Sequence, residues 1–342
     1  MKAVRLVEIG KPLVEMEIPS PEIGGDQVLV RVIATGICHS DVHYWKGISP
    51  VGALPQTLGH EIAGVVEEVG PNVTTHSVGQ RVCLHYLLTC GDCAYCRSSS
   101  EQFCKSGLML GKDIDGGYAE YVAVPARNAI PLPADVPFDH GAVLMCSSAT
   151  VFHALRKARL RAGETAAVFG AGGLGMSAVQ LAQIFGALDV YAVDIHERKL
   201  AVAAAYGAIP INASATNPVQ ELRCRTAKTG VDVALVLVGL PEAMRQAVQS
   251  LAPLGRAVLV GLSEEPLSID TYRDILGQEA EVIGCSDHLL EELPALIEFA
   301  RQGRLNLADV VTETIPLDAG EVNEAINRLH QFESGIRTVI TP

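Results

Sequence analysis

Four cysteines lie close together in the first third of the chain, at Cys90, Cys93, Cys96 and Cys104. Four thiolates hold a zinc ion tetrahedrally, and such a site leaves no ligand position for water or substrate. The spacing therefore predicts a structural zinc site. The alternatives are an iron–sulfur cluster, whose familiar ferredoxin spacings differ from this one, and two disulfides, which a reducing compartment disfavours.

A glycine-rich turn in the middle of the chain has the pattern expected of a dinucleotide site. It reads Gly170-Ala171-Gly172-Gly173-Leu174-Gly175, follows an apolar stretch and opens a segment with helical periodicity. The first glycine allows a tight turn, the second lets the backbone approach a pyrophosphate, and the last lets helix and strand pack closely. The free N–H groups of the helix N-terminus would face the phosphates. The alternative is a glycine-rich turn that binds no nucleotide.

An acidic residue lies where the ribose of the dinucleotide is bound in such sites. Asp194 ends the next apolar stretch after the turn, near the spacing of ~20 residues at which a carboxylate meets the ribose hydroxyls. A 2′-phosphate would meet like charge there, which favours NAD(H) over NADP(H). Arg198 and Lys199 follow closely and could weaken that preference.

The predicted secondary structure differs between the first third of the chain and its middle. The first third contains short β-rich stretches bounded by glycine and proline, which predict a mainly β domain; they cover 28–33, 62–70 and 116–124. The middle alternates strand and helix patterns, which predicts a doubly wound parallel sheet of the α/β class. Its predicted strands are 166–169, 190–193, 233–238, 257–260 and 282–283, and its predicted helices are 174–185, 199–206 and 242–251. Two helices, 289–301 and 319–329, and a strand, 338–340, complete the chain.

Composition excludes several classes of function. The chain of 342 residues has a formal net charge of −13, which disfavours binding to nucleic acid or to an anionic membrane. Its apolar runs are shorter than the ~20 residues that span a bilayer, and no leader segment is evident. Nine cysteines are an odd number for a disulfide framework. We therefore expect a cytoplasmic protein whose partner is a small molecule.

Three further segments carry residues that are weak signals singly. They are Cys38-His39-Ser40-Asp41-x-His43, Gly59-His60-Glu61-x2-Gly64-x5-Gly70 and Cys146 with its flanks. Together with the four cysteines, Asp115-Gly116-Gly117-Tyr118-Ala119-Glu120-Tyr121, the glycine turn and Gly335-Ile336-Arg337-Thr338, they run in one order over the whole chain. In this the chain resembles the zinc-dependent alcohol dehydrogenases of the medium-chain dehydrogenase/reductase family, most closely their short, tetrameric microbial branch.

The resemblance implies a role for each matching residue. Cys38, His60 and Cys146 correspond to the ligands of a catalytic zinc with an open fourth position, and Glu61 to a carboxylate that can approach the metal. Asp41 corresponds to the residue that orients His60, and Ser40 and His43 to a proton relay. The remaining correspondences concern cofactor and substrate: Arg337 and His39 with the pyrophosphate, and Trp45 and Tyr86 with the substrate pocket. His85 adjoins Tyr86 and could also point into that pocket.

The resemblance also implies architecture and activity. It predicts a GroES-like, mainly β catalytic domain of residues 1–148 and 286–342, with a Rossmann domain of residues 149–285 inserted in it. The implied activity is reversible oxidation of primary or secondary alcohols with NAD, two zinc ions per chain and assembly as a homotetramer. Polyol and threonine dehydrogenases of this family tend to carry glutamate where Cys146 stands, so Cys146 favours simple alcohols. The alternatives are a polyol, threonine or hydroxyacyl-type dehydrogenase, a zinc-independent reductase, and a non-enzymatic nucleotide-binding protein.

Overall fold

The structure is a computed structural model that describes residues 1–333 and 335–342. Its contacts divide the chain into two compact units, residues 1–146, 289–302 and 307–342 in the first and residues 147–288 and 303–306 in the second. The sequence predicts domain boundaries after residue 148 and before residue 286. The contacts divide the chain after residue 146 and before residue 289. Residues 303–306 differ, since they group with the second unit.

Strands are numbered here in chain order. They are β1 Lys2–Leu6, β2 Val14–Glu17, β3 Gln27–Gly36, β4 Gln56–Thr57, β5 Glu61–Val69, β6 Arg81–Leu84, β7 Leu87–Leu88, β8 Leu108–Met109, β9 Tyr121–Pro125, β10 Ala129–Pro131, β11 Thr165–Phe169, β12 Asp189–Asp194, β13 Ile209–Asn212, β14 Val231–Val236, β15 Leu251–Leu259, β16 Glu281–Gly284, β17 Val311–Pro316 and β18 Arg337–Thr341.

Helices are numbered in the same way. They are α1 His39–Lys46, α2 Ala94–Arg97, α3 Phe138–Val143, α4 Ala149–Ala158, α5 Gly173–Ile184, α6 Glu197–Ala205, α7 Pro218–Arg225, α8 Pro241–Gln249, α9 Leu293–Arg301 and α10 Ala319–His330. Two short helical turns matter for the site: a 3₁₀ turn at Glu101–Phe103 and a π-helical turn at Leu144–Ser148. Among the described residues, no helix has the length and hydropathy needed to cross a membrane.

The first unit is built around a mostly antiparallel sheet in the order β10-β6-β5-β3-β18-β17, in which β9 also pairs with β3. Smaller sheets, β2-β1-β4 and β7-β8, belong to the same unit. The pairing of β3 with β5 places Gly36 opposite Glu61, and β18 pairs with β3 at the same end, where Val339 lies opposite Gly36. The end of β3 and the beginnings of β5 and β18 therefore meet at one place.

The second unit is a parallel sheet in the order β13-β12-β11-β14-β15-β16. This is the doubly wound order in which the first strand, here β11, lies at the centre and its following turn faces the crevice at the carboxyl edge. Its central strands β12, β11 and β14 are almost entirely buried because helices connect the strands over both faces. The predicted α/β class is confirmed.

Some differences from the expected elements have local causes. The sequence patterns did not indicate β13, α7 or β17; β17 and α7 are rich in polar residues and β13 has only four residues. The strand expected over 116–124 begins only at Tyr121. Before it, the amides of Gly116, Gly117 and Tyr118 donate to carbonyl oxygens of residues 57–59. This irregular pairing holds the turn that leads to His60.

Candidate metal centres and dinucleotide turn

One group of potential metal ligands is buried where β3, β5 and β18 meet. Cys38 follows β3, His60 immediately precedes Glu61 at the start of β5, and Cys146 lies in the π-helical turn after α3. One ligand atom from each of these four side chains lies within 4.8 Å of the others, and all four residues are buried. We call Cys38, His60, Glu61 and Cys146 the buried cluster.

The chemistry of the buried cluster suits zinc. The Cys38 and Cys146 sulfur atoms lie 3.9 Å apart, and both ring nitrogens of His60 are buried without a hydrogen-bond partner among the described residues. An imidazole buried in this way is costly unless it has a partner, and thiolate and imidazole are the ligands that zinc prefers. The residues present therefore fit a catalytic zinc ion with three protein ligands.

Electrostatic interactions inside the buried cluster favour thiolate at Cys38. A hydrogen bond from the Cys146 thiol holds the pKa of Cys38 well below its usual value, although burial acts the other way. Burial lowers the pKa of His60, but the nearby Cys38 thiolate and the charge of Asp41 raise it to about 9. Thiolate is the form of cysteine that ligates metals.

Asp41 is buried beside the cluster and contacts two of its residues, Cys38 and His60. Its carboxylate accepts hydrogen bonds from the Cys38 amide at 2.8 Å and from the Tyr118 hydroxyl at 3.0 Å, and its other oxygen lies 3.7 Å from Nδ1 of His60. The family resemblance predicts that Asp41 orients His60. It assigns no role to Tyr118, which lies inside a quoted motif but reaches Asp41 only through the tertiary fold.

Arg337 and Glu61 face each other in the interior. Nη2 of Arg337 lies 3.1 Å from Oε1 of Glu61, and Nη1 donates to the Ile37 carbonyl at 2.9 Å. Burial raises the pKa of Glu61 to about 8 even with this guanidinium beside it. The expected partner of Arg337 was a pyrophosphate, and the structure gives it a carboxylate partner within the chain.

The predicted relay residues lie on α1, and the predicted pocket residues lie in two different hydrophobic cores. Ser40 and His43 are both half-buried and lie three residues apart on α1, so they share a face; the Ser40 hydroxyl lies 3.8 Å from the Cys38 sulfur. The His39 ring stacks on Phe332 and meets His43 edge-on. Tyr86 packs edge-to-face against His60, with ring centroids 5.2 Å apart.

Trp45 is a departure from the expected pocket. It lies on the buried face of α1, in the core that also contains Val4 and Leu6, and its indole N–H donates to the Lys11 carbonyl at 2.8 Å. Tyr86 belongs to a different core, together with Cys38 and Cys146. The structure therefore brings Tyr86 to the buried cluster, whereas Trp45 packs in the other core.

The second group of ligands is the loop of residues 90–104, which we call the cysteine lobe. Ligand atoms of Cys90, Cys93, Cys96 and Cys104 lie within 4.8 Å of one another, with sulfur–sulfur distances of 3.5 to 3.8 Å. All four are free thiols, which disfavours the disulfide alternative. Amides of Asp92 and Cys93 donate to Cys90 and lower its pKa to about 6. The lobe fits a closed zinc site.

The glycine turn has the geometry that a pyrophosphate requires. Gly170 has φ +105°, and Gly172 is the N-cap of α5 and provides no side-chain cap for its free N–H groups. A Cβ atom on Gly172 would meet nothing within 4 Å, whereas one on Gly175 would lie 2.0 Å from the Gly170 carbonyl oxygen. Gly173 and Leu174 form the first turn of α5. The arrangement leaves the helix N-terminus accessible to an anion.

Asp194 lies at the end of β12 and binds the backbone of the glycine turn, at the place expected for a ribose-binding carboxylate. Its two carboxylate oxygens accept hydrogen bonds from the Ala171 amide at 2.7 Å and the His196 amide at 2.9 Å. Each oxygen retains a further lone pair, so the carboxylate can still accept from ribose hydroxyls. Lys199 lies in the first turn of α6, two residues beyond its start at Glu197.

Comparisons with known proteins agree with this geometry. Residues 24–134 match the family model for the alcohol dehydrogenase GroES-like domain, and residues 173–302 match that for zinc-binding dehydrogenases. An NAD-dependent alcohol dehydrogenase from Sulfurisphaera tokodaii is 38% identical over 100% of both chains. The crystal structure of the alcohol dehydrogenase from Aeropyrum pernix matches with a TM-score of 0.91 and 34% identity over 100% of both chains. An L-threonine 3-dehydrogenase from Bacillus velezensis is 32% identical over 88% of both chains.

Proposed function

Because the chain belongs to the zinc-dependent alcohol dehydrogenases of the medium-chain dehydrogenase/reductase family, we propose that it oxidises primary or secondary alcohols reversibly with NAD. The observation that carries the proposal is the buried cluster, in which two thiols and an unpartnered imidazole converge. A non-enzymatic scaffold has no physical reason to retain such a costly arrangement of buried polar groups.

We assign Cys38, His60 and Cys146 to a catalytic zinc ion and the four cysteines of the cysteine lobe to a structural one. A zinc ion held by three protein ligands supplies Lewis acidity that makes an alcohol hydroxyl more acidic, and NAD supplies the hydride acceptor. Asp41 holds the His60 ring and Glu61 stands beside the three ligands with Arg337 as its counter-ion. The protein contributes orientation, burial and a fixed field.

The proton released from the alcohol needs a path to water. We assign that path to Ser40 and then His43, which lie on one half-buried face of α1 next to Cys38. A hydroxyl can accept one proton while donating another, and an imidazole exchanges protons near neutral pH. The two side chains therefore have the chemistry that a relay requires.

For the cofactor, we assign the pyrophosphate to the glycine turn and the ribose to Asp194. The helix N-terminus attracts phosphate, and the Asp194 carboxylate repels a 2′-phosphate, which supports NAD over NADP. Lys199, His39 and Arg337 are assigned as further cofactor contacts. For Arg337 this assignment requires that the guanidinium bind the cofactor phosphate and keep its contact with Glu61. Trp45 is left out of the pocket, and Tyr86 is retained.

A substrate panel tests the activity directly. NADH formation is followed by absorbance with matched primary, secondary, aromatic and polyol substrates and with threonine, each with NAD+ or NADP+ and with or without a zinc chelator. We expect chelator-sensitive turnover of simple alcohols with NAD+, because this chain has the Cys146 thiol at the position where polyol dehydrogenases of the family tend to carry glutamate. Turnover of polyols or threonine alone would overturn the substrate class, and chelator-insensitive turnover would overturn the zinc assignment.

We propose that residues 1–148 and 286–342 form the catalytic domain and residues 149–285 the dinucleotide-binding domain. The division of contacts after residue 146 and before residue 289 supports these limits. We also propose a cytoplasmic location, supported by nine free cysteines, because thiolate ligands persist where thiols are kept reduced. Fractionation of the source cells would contradict the location if the protein were found outside the cytoplasm.

We propose a homotetramer that uses the open edge of the parallel sheet. The edge proposed here is that of β16, one of the two edge strands of this sheet together with β13, and β16 exposes Val282. Large apolar side chains before it in the chain are also exposed, namely Leu254, Leu262, Tyr272 and Leu276. An exposed edge with apolar neighbours is a template for pairing with another chain.

Light scattering measures this assembly. The wild type should have four times the 36.2 kDa mass of one chain, and Val282→Lys should reduce that mass because a buried lysine opposes edge pairing. Leu188→Lys is the matched control, since Leu188 is exposed in the same unit but away from β16 in sequence. A wild type with the mass of a single chain would contradict the proposal.

A further inference from the structure

We propose that Glu101, a residue inside the cysteine lobe, is a positioning residue for the zinc ligand His60. Glu101 fixes the His85 ring, His85 packs on Tyr86, and Tyr86 packs on His60. The proposal rests on the assignment of the buried cluster to a catalytic metal. It links the two metal centres through side chains of the first unit alone.

Glu101 connects the cysteine lobe to chain outside it. It lies in the 3₁₀ turn directly before Cys104, and it is only 8% exposed. One carboxylate oxygen accepts from the Leu290 amide at 2.6 Å and lies 3.6 Å from Nε2 of His85. The other oxygen accepts from Arg127 and from the Thr89 hydroxyl, each at 3.4 Å.

Arg127 contacts the chain near both ends of the lobe. Besides contacting Glu101, it donates to the carbonyl of Thr89, the residue before Cys90, at 3.2 Å. Thr89 directly precedes Cys90, and the turn that begins at Glu101 directly precedes Cys104, so Arg127 binds the chain near the first and the last cysteine of the lobe. A metal that ties these cysteines together also fixes the position of the Glu101 carboxylate.

The backbone on either side of Tyr86 is already held independently of Glu101. The Asn128 side chain donates to the carbonyls of His85 and Leu87, each at 2.8 Å, and the Asn128 carbonyl accepts from the His85 amide. The Leu110 amide donates to the Tyr86 carbonyl at 3.0 Å. What Glu101 contributes is therefore the position of the His85 imidazole.

The His85 ring lies against the Tyr86 ring, with centroids 6.1 Å apart, and Tyr86 packs edge-to-face on His60. His85, Tyr86 and His60 are each no more than 2% exposed, so none of these rings can move without moving its neighbour. His60 has Asp41 on one side at 3.7 Å and the Tyr86 ring on another. Glu101 affects the contact between Tyr86 and His60, because it positions the His85 ring that packs on Tyr86.

The test uses the holoenzyme with cobalt(II) exchanged into the buried cluster and zinc kept in the cysteine lobe. In Glu101→Gln, which retains the volume and the acceptor for Leu290, we expect the cobalt absorption bands to shift and cobalt loss to a chelator to become about tenfold faster, as for other residues behind a metal ligand. Glu67→Gln is the matched control. It makes the same change at an exposed carboxylate of the same unit that lies outside the cysteine lobe, and its partner is the exposed Arg31, so both readouts should match the wild type.

Three results would overturn the proposal. Unchanged bands and unchanged cobalt loss in Glu101→Gln would do so, and so would faster loss of lobe zinc alone, because Glu101 would then serve only the lobe. A wild type that takes up no cobalt in the buried cluster would overturn the assignment of that cluster together with this inference. If Glu101→Gln does not fold, His85→Gln breaks the same pair from the other side, with the same expected and contradicting results.

Discussion

Replacing Cys146 with alanine should leave a folded protein that holds one zinc ion per chain and has lost almost all turnover. Cys146 supplies one of the two thiols of the buried cluster, and its sulfur lies 3.9 Å from that of Cys38. A catalytic metal contributes several kcal/mol of transition-state stabilisation, so its loss should lower kcat/KM by about a thousandfold or more. The cysteine lobe keeps its own four ligands, which preserves the second zinc ion.

Cys83→Ala is the matched control for this variant. Cys83 is buried like Cys146, its thiol donates to the Ile130 carbonyl, and it belongs to neither group of ligands. Burial raises the pKa of Cys83 to about 12, so it stays a neutral thiol. We expect Cys83→Ala to lose about 1 kcal/mol of stability and to keep both zinc ions and its turnover. Elemental analysis and initial rates distinguish the two variants, and a Cys146→Ala protein with two zinc ions and normal rates would refute the ligand assignment.

Replacing Gly172 with alanine should abolish tight cofactor binding without changing the melting temperature. The added methyl group meets no protein atom within 4 Å, so the turn tolerates it. The same methyl group would occupy space through which a pyrophosphate approaches the N–H groups of α5. Loss of one or two charge-assisted hydrogen bonds, at roughly 1.5–3 kcal/mol each, should weaken NADH binding by about a hundredfold.

Gly175→Ala provides the contrast. Its Cβ would lie 2.0 Å from the Gly170 carbonyl oxygen, and neither backbone can yield without separating α5 from β11. We expect a loss of about 1–3 kcal/mol or more in the free energy of unfolding, together with weaker binding. Calorimetric titration with NADH and thermal melting of both variants give the comparison. Wild-type NADH affinity in Gly172→Ala would show that the turn does not receive the pyrophosphate.

The parts of this protein that could be predicted from sequence are those whose geometry is local. The four cysteines of the lobe lie within a short loop, so their spacing alone keeps the thiols together. The glycine turn is defined by consecutive residues at a strand–helix junction, and Asp194 follows at the end of the next strand. The resemblance to a family extended the prediction to Cys38, His60 and Cys146, which no local pattern connects.

Contacts between residues far apart in the chain could be established only from the folded structure. Cys38 and His60 meet because the register of β3 and β5 sets Gly36 opposite Glu61. Arg337 faces Glu61 because β18 pairs with β3 at that end, and Trp45 and Tyr86 lie in different cores although both were expected at the pocket. Nor could spacing indicate that Glu101 reaches His85. Local geometry follows from bond lengths and backbone dihedral angles, whereas strand register and core membership follow from packing of the whole unit.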